Sequence, residues 1–272
     1  MDAIIYNFVK RNKLKLQEII DIIEHWAPLE SAEDFDNVGL IVGDISSDVK
    51  KALITLDTLE SVVDEAIENS CDLIISFHPI IFSGLKKITN QTYVERVVSK
   101  AIKNNINIYA IHTNLDNHPK GVNFQISKYL ELQNTKILIP KIKFQGGMGM
   151  IGDLKKNLSE KELLHFVKSK MKTKLIKHSP FLNKGIKSIA VLGGSGSFAI
   201  ENAIAEKADC YLTSDLKYHD YFKADNKILL ADIGHYESEQ FTKELILEFL
   251  NEKIPKFACI ISKSNTNPVN YF

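Results

Sequence analysis

The chain is 272 residues long, with 44% hydrophobic and 25% charged residues and 13 glycines. That composition excludes disordered, collagen-like and disulfide-framework classes and leaves room for about two compact lobes. Lys plus Arg and Asp plus Glu balance at 34 each, so no overall positive field exists to hold a nucleic-acid backbone or an anionic membrane.

The apolar stretch Ala3–Val9 has no basic segment before it and is followed by Lys10 and Arg11, unlike a secretory leader. No uncharged apolar run reaches membrane-spanning length. Cys71, Cys210 and Cys259 are odd in number and widely spaced, the usage of buried thiols in a reducing compartment and not of a disulfide frame or a zinc knuckle. The expectation is a cytoplasmic protein with neither nucleic acid nor membrane as partner.

Leu16, Ile19, Ile20 and Ile23 recur at helical spacing and Pro28 ends the pattern, so an amphipathic helix comes first. A polar loop, Ser31 to Asn37, follows. Residues 52–57 then read as a strand, 61–69 as a helix, 72–76 as a strand, 93–104 as a helix and 106–111 as a strand. This is the rhythm of right-handed β-α-β units and hence of a mainly parallel sheet. After a helix at 121–132 the rhythm changes: two strand-like runs between Ile137 and Leu154 meet around Gly146, Gly147 and Gly149 and predict a hairpin. Ser159 with Glu162 three residues on forms a capping box for a helix reaching Met171. Strands at 186–192, 209–213, 227–233 and 257–261 then alternate with helices at 198–207, 216–224 and 238–250. The fold class is α/β, two α/β lobes with mainly parallel sheets flanked by helices.

In open parallel sheets ligands sit beyond the carboxyl ends of the strands. There the chain carries Phe77-His78-Pro79, then His112-Thr113-Asn114-Leu115-Asp116, then Gly234-His235-Tyr236-Glu237-Ser238-Glu239. His235 and Glu239, four apart at a helix start, share one face. Imidazoles and carboxylates are the donors that suit zinc, iron or manganese, and a carboxylate can bridge two ions. Taken singly, His78 also fits a loop-packing role and His235/Glu239 a solvated surface pair. Gly193-Gly194-Ser195-Gly196, between a strand and a helix, fits either a tight structural turn or a phosphate cradle; it lacks the Walker lysine and the dinucleotide spacing. His219 suits proton transfer near neutral pH or an exposed helix surface. His25, His165 and His178 read as structural or exposed.

These residues, with Asp36-Asn37-Val38-Gly39 and Thr213–Asp220, make the chain resemble the GTP cyclohydrolase 1 type 2 family, the NGG-interacting-factor-3-like proteins, over nearly its whole length and in the compact form without an inserted domain. The resemblance implies a NIF-three-like fold of two interlocked lobes, residues 1–125 plus 230–272 forming the metal-bearing one and 126–229 the other, and a toroidal homohexamer. It implies one or two divalent metal ions per chain on His78, Asp116, His235 and Glu239, with Glu239 bridging. It also implies a hydrolase that opens the guanine imidazole ring of GTP with release of formate; in such a reaction a nearby imidazole, His112 or His219, is the expected proton carrier. The family usually has two adjacent histidines where this chain has Phe77-His78. Phenylalanine donates nothing to a metal, so one firm and one weak ion site are expected, the weak one completed by water or by a substitute donor such as His112. A metal-binding scaffold protein and a phosphatase or amidohydrolase with another small substrate are the alternative readings.

Overall fold

The computed structural model describes residues 13–141 and 145–272. The apolar stretch Ala3–Val9 lies outside them. The chain divides into two compact units, Met1–Leu115 with Thr242–Pro268, and Asp116–Phe241 with Val269–Phe272.

The first unit is built on a five-stranded sheet. Ala258–Ile261, Lys51–Thr55, Leu73–Ser76 and Asn107–Ala110 lie parallel in that order, and Gly39–Val42 closes the edge antiparallel to Asn107–Ala110. The runs Leu73–Ser76 and Asn107–Ala110 are buried at every position, as strands covered on both faces must be. Leu53, Val63, Ile74, Val97 and Ile108 belong to one apolar core with the helices Glu60–Glu68 and Tyr93–Lys103. The opening helix is Leu16–Trp26, with Leu16, Ile19, Ile20 and Ile23 buried as their spacing predicts.

The second unit carries a six-stranded sheet of mixed direction, which corrects the expectation of mainly parallel strands there. Gly185–Ser195, Cys210–Ser214 and Leu229–Asp232 are parallel neighbours. The hairpin Gln133–Lys141 with Gly146–Ser159 flanks them antiparallel on one side, and the two-residue strand Lys177–His178 on the other. A hairpin necessarily contributes an antiparallel pair. Pro140 is tolerated because its strand is the sheet's edge.

The boundaries fall at 115/116 and 241/242, where sequence suggested 125/126 and 229/230. The helix Val122–Tyr129 packs on the strands of the second sheet, and Leu229–Asp232 is one of that sheet's own strands. Asp116, His235 and Glu239 therefore belong to the second unit and His78 and His112 to the first.

The helix predicted at 216–224 is a 3-10 helix over Tyr218–Ala224, and the one at 238–250 is two helices, His235–Glu239 and Thr242–Lys253. No helix among the described residues is long and apolar enough to cross a membrane. Cys71 and Cys210 are buried and Cys259 partly so, all unbridged. Burial pushes the Cys71 thiol up to about 11 and that of Cys259 up to about 12, which leaves them poor nucleophiles.

The capping box holds as read: Glu162 N–H donates to Ser159 Oγ at 3.3 Å, and Ser159 N–H to Glu162 Oε2 at 2.8 Å. Replacing Ser159 with Ala should lower unfolding free energy by about 1 kcal/mol in urea titration, with the denaturant slope unchanged.

Candidate metal centre

In the first unit, three parallel strands deliver polar side chains at their carboxyl ends. Asp57 follows Lys51–Thr55, His78 follows Leu73–Ser76 and His112 follows Asn107–Ala110. His78 Nδ1 meets Asp57 Oδ1 at 2.8 Å, and the other oxygen of Asp57 accepts from Thr266 Oγ1 at 2.7 Å. His112 Nδ1 meets Asp36 Oδ1 at 2.9 Å, while Asp36 Oδ2 accepts from the backbone and the hydroxyl of Thr113 at 3.0 and 2.5 Å.

Burial by itself would raise the Asp36 carboxyl. The hydrogen bond and charge of His112 and the two bonds from Thr113 outweigh it and hold the group at about 2. Asn114 completes the loop: its Oδ1 accepts from His112 N–H at 2.9 Å and its Nδ2 donates to Ala27 O at 2.8 Å. Each residue of His112-Thr113-Asn114 thus has an assigned contact.

The two rings lie 5.1 Å apart, centre to centre. Phe77, fully buried, packs its ring 4.9 Å from His78 and edge-on to His112 at 5.3 Å. It walls the imidazoles and coordinates nothing.

In the second unit the same device recurs. Ser195 ends the strand Gly185–Ser195, Asp215 follows Cys210–Ser214 and His235 lies just past Leu229–Asp232, three neighbouring strands of the sheet. His235 Nδ1 meets Asp215 Oδ2 at 2.6 Å, and Ser195 Oγ donates to that same oxygen. On the far side of the ring, His235 Nε2 and Glu239 Oε2 are 3.1 Å apart, as expected for side chains four apart on one helical face. Burial opposes charge on this ring, but its bonds to Asp215 and Glu239 prevail and push its pKa up to about 11. Asp116, also buried, ends the helix Thr113–Asp116; its carbonyl accepts from Asn123 Nδ2 at 3.3 Å, and Asn123 Oδ1 takes the N–H of Gly193 at 2.9 Å.

This network settles the glycine loop. The N–H of Gly193 is committed to Asn123 and that of Gly194 to Ser238 Oγ at 2.9 Å, so neither amide is available for a phosphate. Gly194 has φ +70°, and a Cβ there would lie 2.4 Å from Glu239 Oε1. The turn is glycine because the carboxylate lies against it. Glu237 faces elsewhere, beneath Gly234, whose Cβ would meet its Oε2 at 2.3 Å.

His219 is exposed, its ring packed against Tyr218 at 5.2 Å and Phe222 at 6.0 Å, with no hydrogen bond to Asp215, His235 or Glu239 among the described residues. His165 and His178 hydrogen-bond to backbone carbonyls. Sequence reasoning counted Asp57 within a strand, read Ser195 as part of the glycine loop and Asp215 as part of the segment Thr213–Asp220, and gave none of the three a role beside a histidine.

Imidazoles with Nδ1 held on a carboxylate present Nε2 as the ligating nitrogen, the usual outer-shell arrangement of metal-binding histidine. Three such pairs occur among the described residues, and in the second unit a carboxylate oxygen lies beside the presented nitrogen. That donor chemistry fits a divalent cation.

The Duf34/NIF3 (NGG1p interacting factor 3) family matches the chain over residues 14–268. A Clostridium acetobutylicum protein named GTP cyclohydrolase 1 type 2 homolog is 35% identical over 266 residues, spanning 95% of this chain and 99% of its own. A protein of the same name from Campylobacter jejuni is 33% identical over 260 residues, with 95% and 100% covered. A crystal structure of a Staphylococcus aureus protein aligns with a TM-score of 0.87 at 29% identity, over 95% of this chain and 99% of that one.

Two predictions follow from the geometry. Gly194→Ala should displace the Glu239 carboxylate and lower divalent-metal retention, read by elemental analysis; Gly185→Ala, where no atom comes within 3.8 Å, should leave it unchanged. Asp36 has a folded pKa of about 2 against an ordinary 3.8. Its contribution, ~2 kcal/mol, is present above about pH 4 and lost as pH falls toward 2. Asp36→Asn should flatten that part of the stability–pH curve in denaturant titrations, and a curve as steep as wild type would remove Asp36 from the account.

Proposed function

This chain is a member of the Duf34/NIF3 family, and on that footing we propose that it is a metal-dependent hydrolase of the GTP cyclohydrolase 1 type 2 kind. The observation that carries the reading is the set of carboxylate-held imidazoles at strand ends. His78, Asp116, His235 and Glu239 are the proposed ligands, of which His78, His235 and Glu239 each offer one imidazole nitrogen or carboxylate oxygen. A bound divalent cation would lower the pKa of water toward neutrality at these donors.

The chain's own residues supply the rest. Asp57, Asp36 and Asp215 fix which ring nitrogen each histidine presents. Ser195 holds Asp215, and Phe77 keeps water from the ring faces of His78 and His112. His112, held through Nδ1, has its other nitrogen to move a proton or to serve as the substitute donor. His219, exposed and held only by ring contacts, is the weaker candidate for proton transfer. The reaction is opening of the guanine imidazole ring of GTP with release of formate, in the cytoplasm, by a homo-oligomer of the family's hexameric kind.

A second reading, a metal-binding scaffold without turnover, is favoured by Phe77. It fills a position beside His78 with a side chain that has no donor atom.

Elemental analysis of tag-free protein should give more than one and fewer than two ions per chain, rising toward two in Phe77→His. With GTP, formate should appear and should vanish on chelation and in Glu239→Gln. Phosphate in place of formate would identify a phosphatase, and metal retained without either product would identify the scaffold.

A further inference from the structure

The last strand of the first unit, Ala258–Ile261, runs on into residues 262–268, which belong to no helix or strand. Ser262 extends the ladder by one bond, its N–H donating to Ile54 O at 2.8 Å. Glu65, on the helix Glu60–Glu68, then accepts four hydrogen bonds from the segment: Oε1 from the Lys263 N–H at 2.8 Å, and Oε2 from the Ser264 N–H at 3.2 Å and from the hydroxyls of Ser262 and Ser264 at 2.6 and 2.8 Å. Two residues further on, Thr266 Oγ1 donates to Asp57 Oδ2 at 2.7 Å, and Asp57 Oδ1 meets His78 Nδ1 at 2.8 Å. Ser262 and Thr266 are both buried.

Burial would raise the Glu65 carboxyl, but the two amides and two hydroxyls outweigh it and hold the group below its ordinary value. An ionised carboxylate is acceptor-only, so both of its oxygens serve this segment. A segment outside helix and strand has no repeating backbone bonds to fix its path, and a hydrogen bond weakens steeply when its partners are misplaced. Thr266 therefore stays on Asp57 only while Ser262–Ser264 are held. Glu65 itself has no hydrogen bond to Asp57 or His78 among the described residues.

We propose that Glu65 is a positioning residue for the metal centre: by fixing Ser262–Ser264 it places Thr266 on Asp57, and through Asp57 it orients the imidazole of His78. The proposal rests on the metal reading above in taking His78 as a ligand. Every link of the path lies within the first unit.

The test is a cobalt(II) titration of the chelator-treated full-length protein, followed by visible absorption. Glu65→Gln keeps the side chain's shape but gives up one acceptor oxygen, and should weaken cobalt binding about tenfold, the cost of losing outer support for a ligating histidine. Thr266→Val should do the same, whereas Thr266→Ser, which restores the hydroxyl, should bind within about twofold of wild type. Because both residues act along one path, Glu65→Gln with Thr266→Val should lose about tenfold and not about a hundredfold. Ser264→Ala takes one donor from the same carboxylate and should lose about threefold; it carries the test if Glu65→Gln does not unfold cooperatively. An additive, hundredfold loss in the double variant would mark Glu65 as a brace of the fold alone and overturn the proposal. Cobalt bound with wild-type affinity in Glu65→Gln and Ser264→Ala would also overturn it and leave the metal reading standing. No cobalt bound by the wild-type chain would end the metal reading and the proposal with it.

Discussion

An imidazole has two nitrogens of nearly equal basicity, and a site that needs one of them must decide which. In this protein the decision is made three times in the same way, by an aspartate on Nδ1: Asp57 for His78, Asp36 for His112 and Asp215 for His235. The aspartates are in turn held by hydroxyls, from Thr266, Thr113 and Ser195. The remaining architecture serves that constraint. Parallel strands bring carboxyl ends side by side and so join His78 to Asp57 and His235 to Asp215, 21 and 20 residues apart, whereas Asp36 reaches His112, 76 residues on, from the loop before the antiparallel edge strand Gly39–Val42.

Burial is deepest at the pair of Asp36 with His112. A carboxylate removed from water is raised toward neutrality unless donors surround it. Asp36 is held low because a ring, a hydroxyl and an amide all face it. His235 shows the complementary case, a partly buried ring held in its charged form by carboxylates on both nitrogens. An oxygen–nitrogen pair of this kind binds a proton or a cation for the same electrostatic reason, which is why the arrangement reads as a metal centre.

Glycine and phenylalanine mark where space is limiting. The Gly193–Gly196 loop resembles a phosphate cradle in composition, yet its amides are used by Asn123 and Ser238 and its missing Cβ makes room for Glu239. Phe77 occupies a fully buried position against two imidazoles and fills it with a ring that carries no donor atom.

Sequence alone determined the α/β alternation, the opening amphipathic helix, the capping box at Ser159 and the placement of His78, His112 and His235 just past strands. Those are local properties, set by hydrophobic period, turn residues and helix-end hydrogen bonding within a few neighbours. Tertiary structure alone decided the aspartate partner of each histidine, the mixed direction of the second sheet, and the membership of Asp116, His235 and Glu239 in the second unit. It also decided that the glycine loop backs a carboxylate. Each of these depends on which distant strands become neighbours, and no local pattern encodes a pairing between residues many positions apart.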